Sequence, residues 1–340
     1  MSRGADSEIR IALPSKGRME GETMDFLADC GLRVNKTNPR QYSARIPQLP
    51  NVQVLFQRAR DLARSVDSGD IDLAITGYAT EIDALGEDHA NVVVIHEGLG
   101  YGQCALVLAV PNTWTHVNSL TDLAEHAQTT GGLRVASKHT GAARGFLKKH
   151  GVEGVDVVSA DGALEAAPAI GYADFIADIT STGTTLRENQ LKTIEGGTIV
   201  ESEAVLLGNR AALEQRDDLV QVTIQLLEFI EAHLRARGQY LVFANIRGDS
   251  AEAIGRLIFE QTDIGGLQGP TISPVVNARG ESGWWAINIV VPSERMYEAI
   301  GQIRSIGGSG VIVTPARYIF EERPARISRL LEAVGREVAL

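Results

Sequence analysis

The chain has 340 residues, a length that suits two or three domains, and its 44% hydrophobic content, 35 glycines and few aromatic side chains favour α/β architecture over an aromatic-rich sandwich. A formal net charge of −11 argues against the broad basic face that non-specific DNA or RNA binding needs, while a few local cations could still hold one phosphate group. Segment 1–8 lacks the apolar core of a signal peptide, no apolar run reaches about 18 residues, and the histidines and cysteines show no H-x-x-x-H or C-x-x-C spacing.

In chain order, the first expected strand is 9–13, closed by Pro14, and a helix over 19–30 ends at Gly31. A strand over 52–56, a short helix over 61–66 and a strand over 71–75 follow. Strands alternating with helices point to a largely parallel sheet. A second α/β unit begins with a continuous apolar strand over 105–110 ended by Pro111. Its further elements are a helix from 118, a strand over 133–136, a helix over 141–150 and a strand over 155–158. A helix opening at Asp161 or Gly162 and a strand over 175–179 complete it. The stretch 198–207 reads as a return crossing into the first unit. Two lobes joined by two crossings enclose a cleft, a usual place for a small ligand.

Residues 219–237 carry apolar side chains at helical spacing and read as a linker. After Gly238 the pattern is strand 240–246, helix 250–259, strands 271–276 and 284–291, helix 294–305 and strand 311–319. That βαββαβ order is the ferredoxin-like plan. A last helix is expected over 325–334. The expected divisions are 1–97 with 193–225 for one lobe, 98–192 for the other, 226–320 for the linker and module, and 321–340 for the tail. Cys30 and Cys104 lie in apolar stretches and read as buried, reduced thiols, which fits the cytosol.

The most informative segment runs from Glu165 to Leu186. An apolar strand delivers Asp178 to its carboxyl end, and Thr180, Ser181, Thr182, Gly183, Thr184 and Thr185 follow before a helix-compatible run. Such a turn gathers backbone N–H groups and hydroxyls around one point, which suits a phosphate dianion at a helix N-terminus. Gly183 lets the backbone approach closely, and Asp178 and Glu165 suit ribose hydroxyls. A capped helix alone would also favour Ser and Thr here.

The pattern Glu-x5-Gly-x-Ala-Asp-x-Ile-x-Asp-Ile-x-x-Thr-Gly-x-Thr, from Glu165 to Thr185, resembles that of the ATP phosphoribosyltransferases, the first enzymes of histidine biosynthesis. The opening Ile11-Ala12-Leu13-Pro14-Ser15-Lys16-Gly17-Arg18 is similar to that family's first strand and basic loop. So is Arg58-Ala59-Arg60-Asp61-Leu62, with Val66, Gly69, Asp72 and Ile75-Thr76-Gly77. Gly269 to Pro274 and Ile306 to Val313 resemble the regulatory domain of the long form. The resemblance implies two periplasmic-binding-protein-like α/β lobes joined by two crossings, plus a C-terminal ferredoxin-like regulatory domain.

It also implies transfer of phosphoribosyl from phosphoribosyl pyrophosphate to N1 of ATP, with pyrophosphate released and Mg2+ held mainly by substrate oxygens rather than by a dedicated site. Lys16, Arg18 and Arg58 would act in catalysis. Glu165, Asp178 and Thr180 to Thr185 would bind phosphoribosyl pyrophosphate, and Lys16, Gly17, Arg18, Asp72 and Gly77 would bind ATP. Arg60 could serve the site or the surface, and Tyr78 could pack on a base or cover the cleft. Histidine would bind the C-terminal module near Ala244, Thr271 and Ser273, and the protein would form a cytoplasmic homo-hexamer, or a dimer. Ala244 stands where relatives commonly carry a polar or acidic side chain, so weakened histidine binding is expected. Residues 277–282 and the tail beyond Phe320 are extra to the pattern. The competing readings are a two-lobed solute-binding protein and a non-catalytic regulatory paralogue. Intact Lys16, Arg18, Arg58 and a complete loop favour the enzyme.

Overall fold

A computed structural model describes residues 8–36, 38, 41–78, 91–162, 164–267, 269–276, 283–322 and 324–336. The segment 277–282, the residues of the turn after Tyr78 and the side chain of Arg60 fall outside the described residues. The chain divides into two compact units, Met1–Leu227 with Ala325–Leu340, and Glu228–Pro324.

The first unit holds two sheets. One contains β1 (Ile9–Pro14), β2 (Ser43–Arg45), β3 (Val52–Gln57), β4 (Leu73–Gly77), β5 (Val92–His96) and β11 (Ala204–Asn209), in the order β2-β3-β1-β4-β11-β5. β1 runs parallel to β3 and β4, whereas β11 is antiparallel to β4 and β5. The other contains β6 (Cys104–Pro111), β7 (Leu133–Ser137), β8 (Val155–Ser159), β9 (Phe175–Thr180) and β10 (Leu191–Ser202), in the order β10-β6-β9-β7-β8. Helices α1 (Arg18–Asp29) and α2 (Ala59–Asp67) belong to the first lobe; α3 (Leu120–Thr130), α4 (Thr140–Lys149) and α5 (Thr184–Glu188) belong to the second. Periodicity explains the packing: the buried faces of β6, β7 and β9 meet Leu123, Ala127, Ala143 and Leu147 of α3 and α4 in one core. Phe175, fully buried at the start of β9, anchors that core beside Trp114, a burial worth about 1.5–3 kcal/mol. Ser119 and Asp122 close the α3 N-terminus with a capping box.

Four local departures from the sequence reading have identifiable causes. β2 and β5 were not expected: β2 is a three-residue edge strand, and β5 is an apolar run with no alternation. The helix expected from Asp161 is reduced to a 3-10 turn, Leu164–Ala166, because Pro168 removes a donor and Gly171 adopts a positive φ soon after. The glycine pair at 196 and 197 makes a register shift inside β10, which stays in the second sheet to Ser202, so the chain crosses at Glu203, within the expected 198–207 but beyond the lobe boundary expected at 193.

Helices α6 (Arg210–Gln215) and α7 (Asp217–Ala236) follow, with the unit boundary inside α7. The second unit contains β12 (Gln239–Arg247), α8 (Ala251–Gln261), β13 (Thr271–Pro274), β14 (Trp284–Pro292), α9 (Met296–Ser305) and β15 (Ser309–Pro315). Its sheet order is β13-β14-β12-β15, with every neighbouring pair antiparallel. This is the expected ferredoxin-like arrangement. Val242, Ala244, Ile246, Ile287 and Ile289 pack with Ile254, Ile258, Ala299 and Ile303 of the two helices. The last helix, α10 (Ala325–Ala333), belongs to the first unit and contacts β5.

Candidate active site

β9 runs through the middle of the segment singled out by sequence. Phe175, Ile176 and Ala177 are buried and fix the strand, so Asp178 and Thr180 emerge at its carboxyl end. Gly183 takes φ 68°, which an L side chain rarely adopts, and its N–H donates to Thr180 Oγ1 at 2.9 Å. The hydroxyls of Thr182 and Thr184 meet at 2.9 Å. Arg187 folds over them, donating to the Thr182 carbonyl and to Thr184 Oγ1, each at 3.0 Å. The helix behind the turn, α5, has five residues, so its dipole is small. The turn therefore gathers several hydroxyls and the Arg187 guanidinium, groups with the chemistry to hold an anion, and Arg187 is a cation that the sequence reading did not single out.

The other lobe supplies one cation that meets this turn, Arg18. Gly17, at φ 78°, turns the chain from β1 into α1, and Lys16 before it is exposed. Arg18 reaches across to the second lobe: Nη1 donates to Ser181 Oγ at 3.1 Å and Nη2 to the Gln103 carbonyl at 3.4 Å. Its Nε is held by Glu22 at 2.7 Å, one helical turn on. Arg58 is exposed at the N-terminus of α2. Between the lobes lies a cleft of about 850 Å³ whose walls include Tyr78, Glu97, Gln103, Cys104, Thr180 and Ser181. Tyr78 thus covers the cleft wall beside Gly77, and its N–H donates to the Glu203 carbonyl at 3.0 Å. Glu201 and Glu203 line the same cleft. Neither was expected from sequence, because their positions depend on where β10 gives way to β11.

Electrostatics distinguish Asp178. Burial raises its pKa, its own Ile179 N–H at 2.8 Å opposes that, the Glu165 carboxylate adds to the rise, and His139 and Lys138 lower it. A carboxyl whose folded pKa lies above the unfolded value stabilises the fold while protonated, and that contribution is lost as pH rises through the folded pKa. At neutral pH the ionised group is consequently a cost. Asp178→Asn is expected to raise the melting temperature at pH 7, with a smaller gain at pH 4, measured by differential scanning fluorimetry. An equal gain at both pH values would place the effect elsewhere.

Three expectations need correction. Asp72 does not reach the cleft. It lies at the N-terminal end of β4, roughly 15 Å of extended chain from Gly77. It is 3% exposed, accepting from the Arg10 N–H at 2.8 Å and from Arg216 Nη1 at 3.4 Å. The structure places it in a buried ion pair away from the cleft residues. Ala244 is 3% exposed and faces the helices of the second unit, while Thr271 and Ser273 lie on the other face of that sheet. The three residues cannot line one pocket, and the alanine reflects core volume. Cys30 is buried, but Cys104 is half-buried on the cleft wall, its pKa raised by burial against a Ser202 hydrogen bond and nearby Arg18.

Comparison with known proteins adds a second line of observation. A family model described as ATP phosphoribosyltransferase (HisG) matches residues 58–229, and one described as the HisG C-terminal domain matches 236–318. The chain is 46% identical over 335 residues to "ATP phosphoribosyltransferase 2, chloroplastic" of Arabidopsis thaliana, covering 96% of this chain and 81% of that protein. It is 32% identical over 336 residues to an ATP phosphoribosyltransferase of Caulobacter vibrioides, covering 96% and 98% respectively. A solved chain from the "ATP phosphoribosyl transferase (HisG:HisZ) complex from Thermotoga maritima" superposes with a TM-score of 0.51 at 22% identity, over 66% of this chain and 98% of that one. That last likeness is one of fold. Among the described residues no helix is long and apolar enough to cross a membrane.

Proposed function

The chain belongs to the ATP phosphoribosyltransferase family, and from that premise we propose that its reaction takes place in the cleft between Arg18 and the turn 180–185. The activity is transfer of phosphoribosyl from phosphoribosyl pyrophosphate to N1 of ATP with release of pyrophosphate, the first step of histidine biosynthesis. The solute-binding and non-catalytic readings give way, because relatives named as this enzyme match nearly the whole chain.

The observation that carries the placement is the contact of Arg18 with Ser181 across the cleft. In this reading the hydroxyls of Thr182, Thr184 and Thr185 and the Arg187 guanidinium hold the 5′-phosphate beside Gly183, while Asp178 and Glu165 accept from the ribose hydroxyls. Breaking the C1–oxygen bond leaves positive charge on the ribose and negative charge on pyrophosphate. Lys16, Arg18 and Arg58 oppose the negative charge, and Gly17 and Gly77 leave room for the ATP phosphates. N1 of ATP brings its own electron pair to C1, so positioning and electrostatics outweigh a strong general base. Mg2+ would ride on substrate oxygens with Glu201 and Glu203 as the nearby carboxylates, and when bound it would neutralise charge on the leaving pyrophosphate.

The C-terminal unit is the proposed histidine site. A cavity of about 640 Å³ on its sheet is lined by Thr271, Asn288 and the mutually paired Arg235 and Glu321, and Asn288 Oδ1 is buried there without a hydrogen-bond partner among the described residues. Assembly into a homo-hexamer, or a dimer, accompanies this proposal. Both cysteines are free thiols, which suits a reducing compartment such as the cytosol.

The decisive experiment incubates the full chain with ATP and phosphoribosyl pyrophosphate, with and without histidine, and follows pyrophosphate release. Thr182→Val and Thr185→Val are each expected to weaken phosphoribosyl pyrophosphate binding by about 1.5–3 kcal/mol, the loss of a hydrogen bond to a charged partner. Wild-type affinity in both variants would refute the assignment of the turn.

A further inference from the structure

The last helix carries an observation that the reaction above does not use. Both family models end before it, the second at residue 318, yet the chain leaves the first unit at Leu227 and comes back to it at Ala325. α10 is docked there by buried Ile327, Leu330, Leu331 and Val334. Arg210 donates to the Ala333 carbonyl at 2.6 Å, and Arg336 donates to the Glu214 carbonyl at 2.9 Å and pairs with Asp217. The helix is therefore anchored along its length, and its first turn presents Arg326 to Glu97.

Glu97 is a wall residue of the cleft, shared with Ser181, Glu201 and Glu203. Three carboxylates on that wall face substrates that are themselves polyanions, an arrangement that repels them unless the charges are met. Glu203 accepts the Gly100 N–H at 3.1 Å and lies within 3.5 Å of the Gln103 amide. Among the described residues, Glu97 is the cleft carboxylate held in an ion pair by a cation from another element; Arg326 is 26% exposed and Glu97 60%. Burial works to raise the Glu97 pKa, but its own backbone N–H and Arg326 outweigh that and lower it.

We propose that Arg326 is a positioning residue for the reaction: from the C-terminal helix it engages the Glu97 carboxylate and removes one repulsive charge from the path of the polyphosphate substrates. The inference rests on the cleft assignment made above. It gives the returning helix a task in substrate binding that a passive tail would not have.

The test uses full-length variants. Arg326→Gln keeps a good helix former and the docked apolar face. It is expected to raise KM for phosphoribosyl pyrophosphate about three- to tenfold, with kcat within about twofold. Glu97→Gln in the same chain should restore KM, and Arg326→Lys should retain most of it. The difference between Arg326→Gln and wild type should also collapse near 1 M salt, where the Debye length falls to about 3 Å. An unchanged KM in Arg326→Gln overturns the proposal, as does a raised KM that Glu97→Gln fails to restore, since that marks a merely structural role. If wild type itself forms no product, the cleft assignment fails and takes the inference with it.

Discussion

Arg18→Ala is expected to lower kcat by about 10²- to 10³-fold, with little change in the melting temperature. The size follows from removing one preorganised donor aimed at developing charge, typically worth about 2.7–4 kcal/mol. Arg18 is the side chain from the first lobe seen hydrogen-bonding the turn of the second, through Ser181 at 3.1 Å. Its loss has a second consequence. Glu22, held by Arg18 at 2.7 Å, would keep its charge without that partner close to Cys104. Adding Glu22→Gln to Arg18→Ala should therefore recover part of the loss. Arg18→Lys should recover less than its charge suggests, because a single ammonium cannot reproduce the fork that spans Ser181, Gln103 and Glu22. Thermal stability is a clean control, as the side chain is 53% exposed and its surface contacts contribute little to folding. A loss of less than tenfold in steady-state kcat would remove Arg18 from the catalytic set.

Asp72→Ala and Arg216→Met are each expected to destabilise the protein by about 3–5 kcal/mol while leaving ATP affinity intact. Both side chains are 5% exposed, and removing either takes an ion-pair partner from a charge in a site that water hardly reaches. Asp218 softens the Arg216 side of the comparison, because Arg216 pairs with it at 2.7 Å and its pKa is raised chiefly by that bond. Asp72→Ala leaves Arg216 with that second partner and should be the milder change. Arg216→Met leaves Asp72 with the Arg10 N–H at 2.8 Å as its remaining named donor. Denaturant unfolding gives the stability and titration calorimetry gives the ATP affinity. The opposite pattern, normal stability with weakened ATP binding, would return Asp72 to the ATP site. A double variant, Asp72→Leu with Arg216→Met, should regain much of the stability, since two apolar groups replace a pair whose desolvation cost offsets much of its attraction.

Much of the molecule was legible from residue order because its signals are local. Alternating strand and helix periods gave the two α/β lobes, and the run from Glu165 to Thr185 marked the turn because strand, glycine and hydroxyls are contiguous there. The βαββαβ order of the second unit was equally readable, its strands being bounded by helices of different period. Where a residue's meaning depended on the face it occupies, sequence fell short. Ala244 looked like a gap in a ligand set, yet strand parity turns it into the helix-covered core while Thr271 and Ser273 point the other way. Asp72 shares a motif with Gly77, but extended chain carries the two to opposite ends of β4, and a partner 144 residues away claims the carboxylate.

The sequence by itself therefore determined the family, the two-lobed plan and the hydroxyl-rich turn after β9, all of which rest on short-range pattern. Tertiary structure alone decided that Arg18 meets Ser181 across 163 residues, that Arg187 folds back on the turn, and that Arg326 meets Glu97 across 229. Such pairs carry no local signature, because an ion pair between distant segments is fixed by how the intervening sheets and helices pack and not by the residues beside either partner.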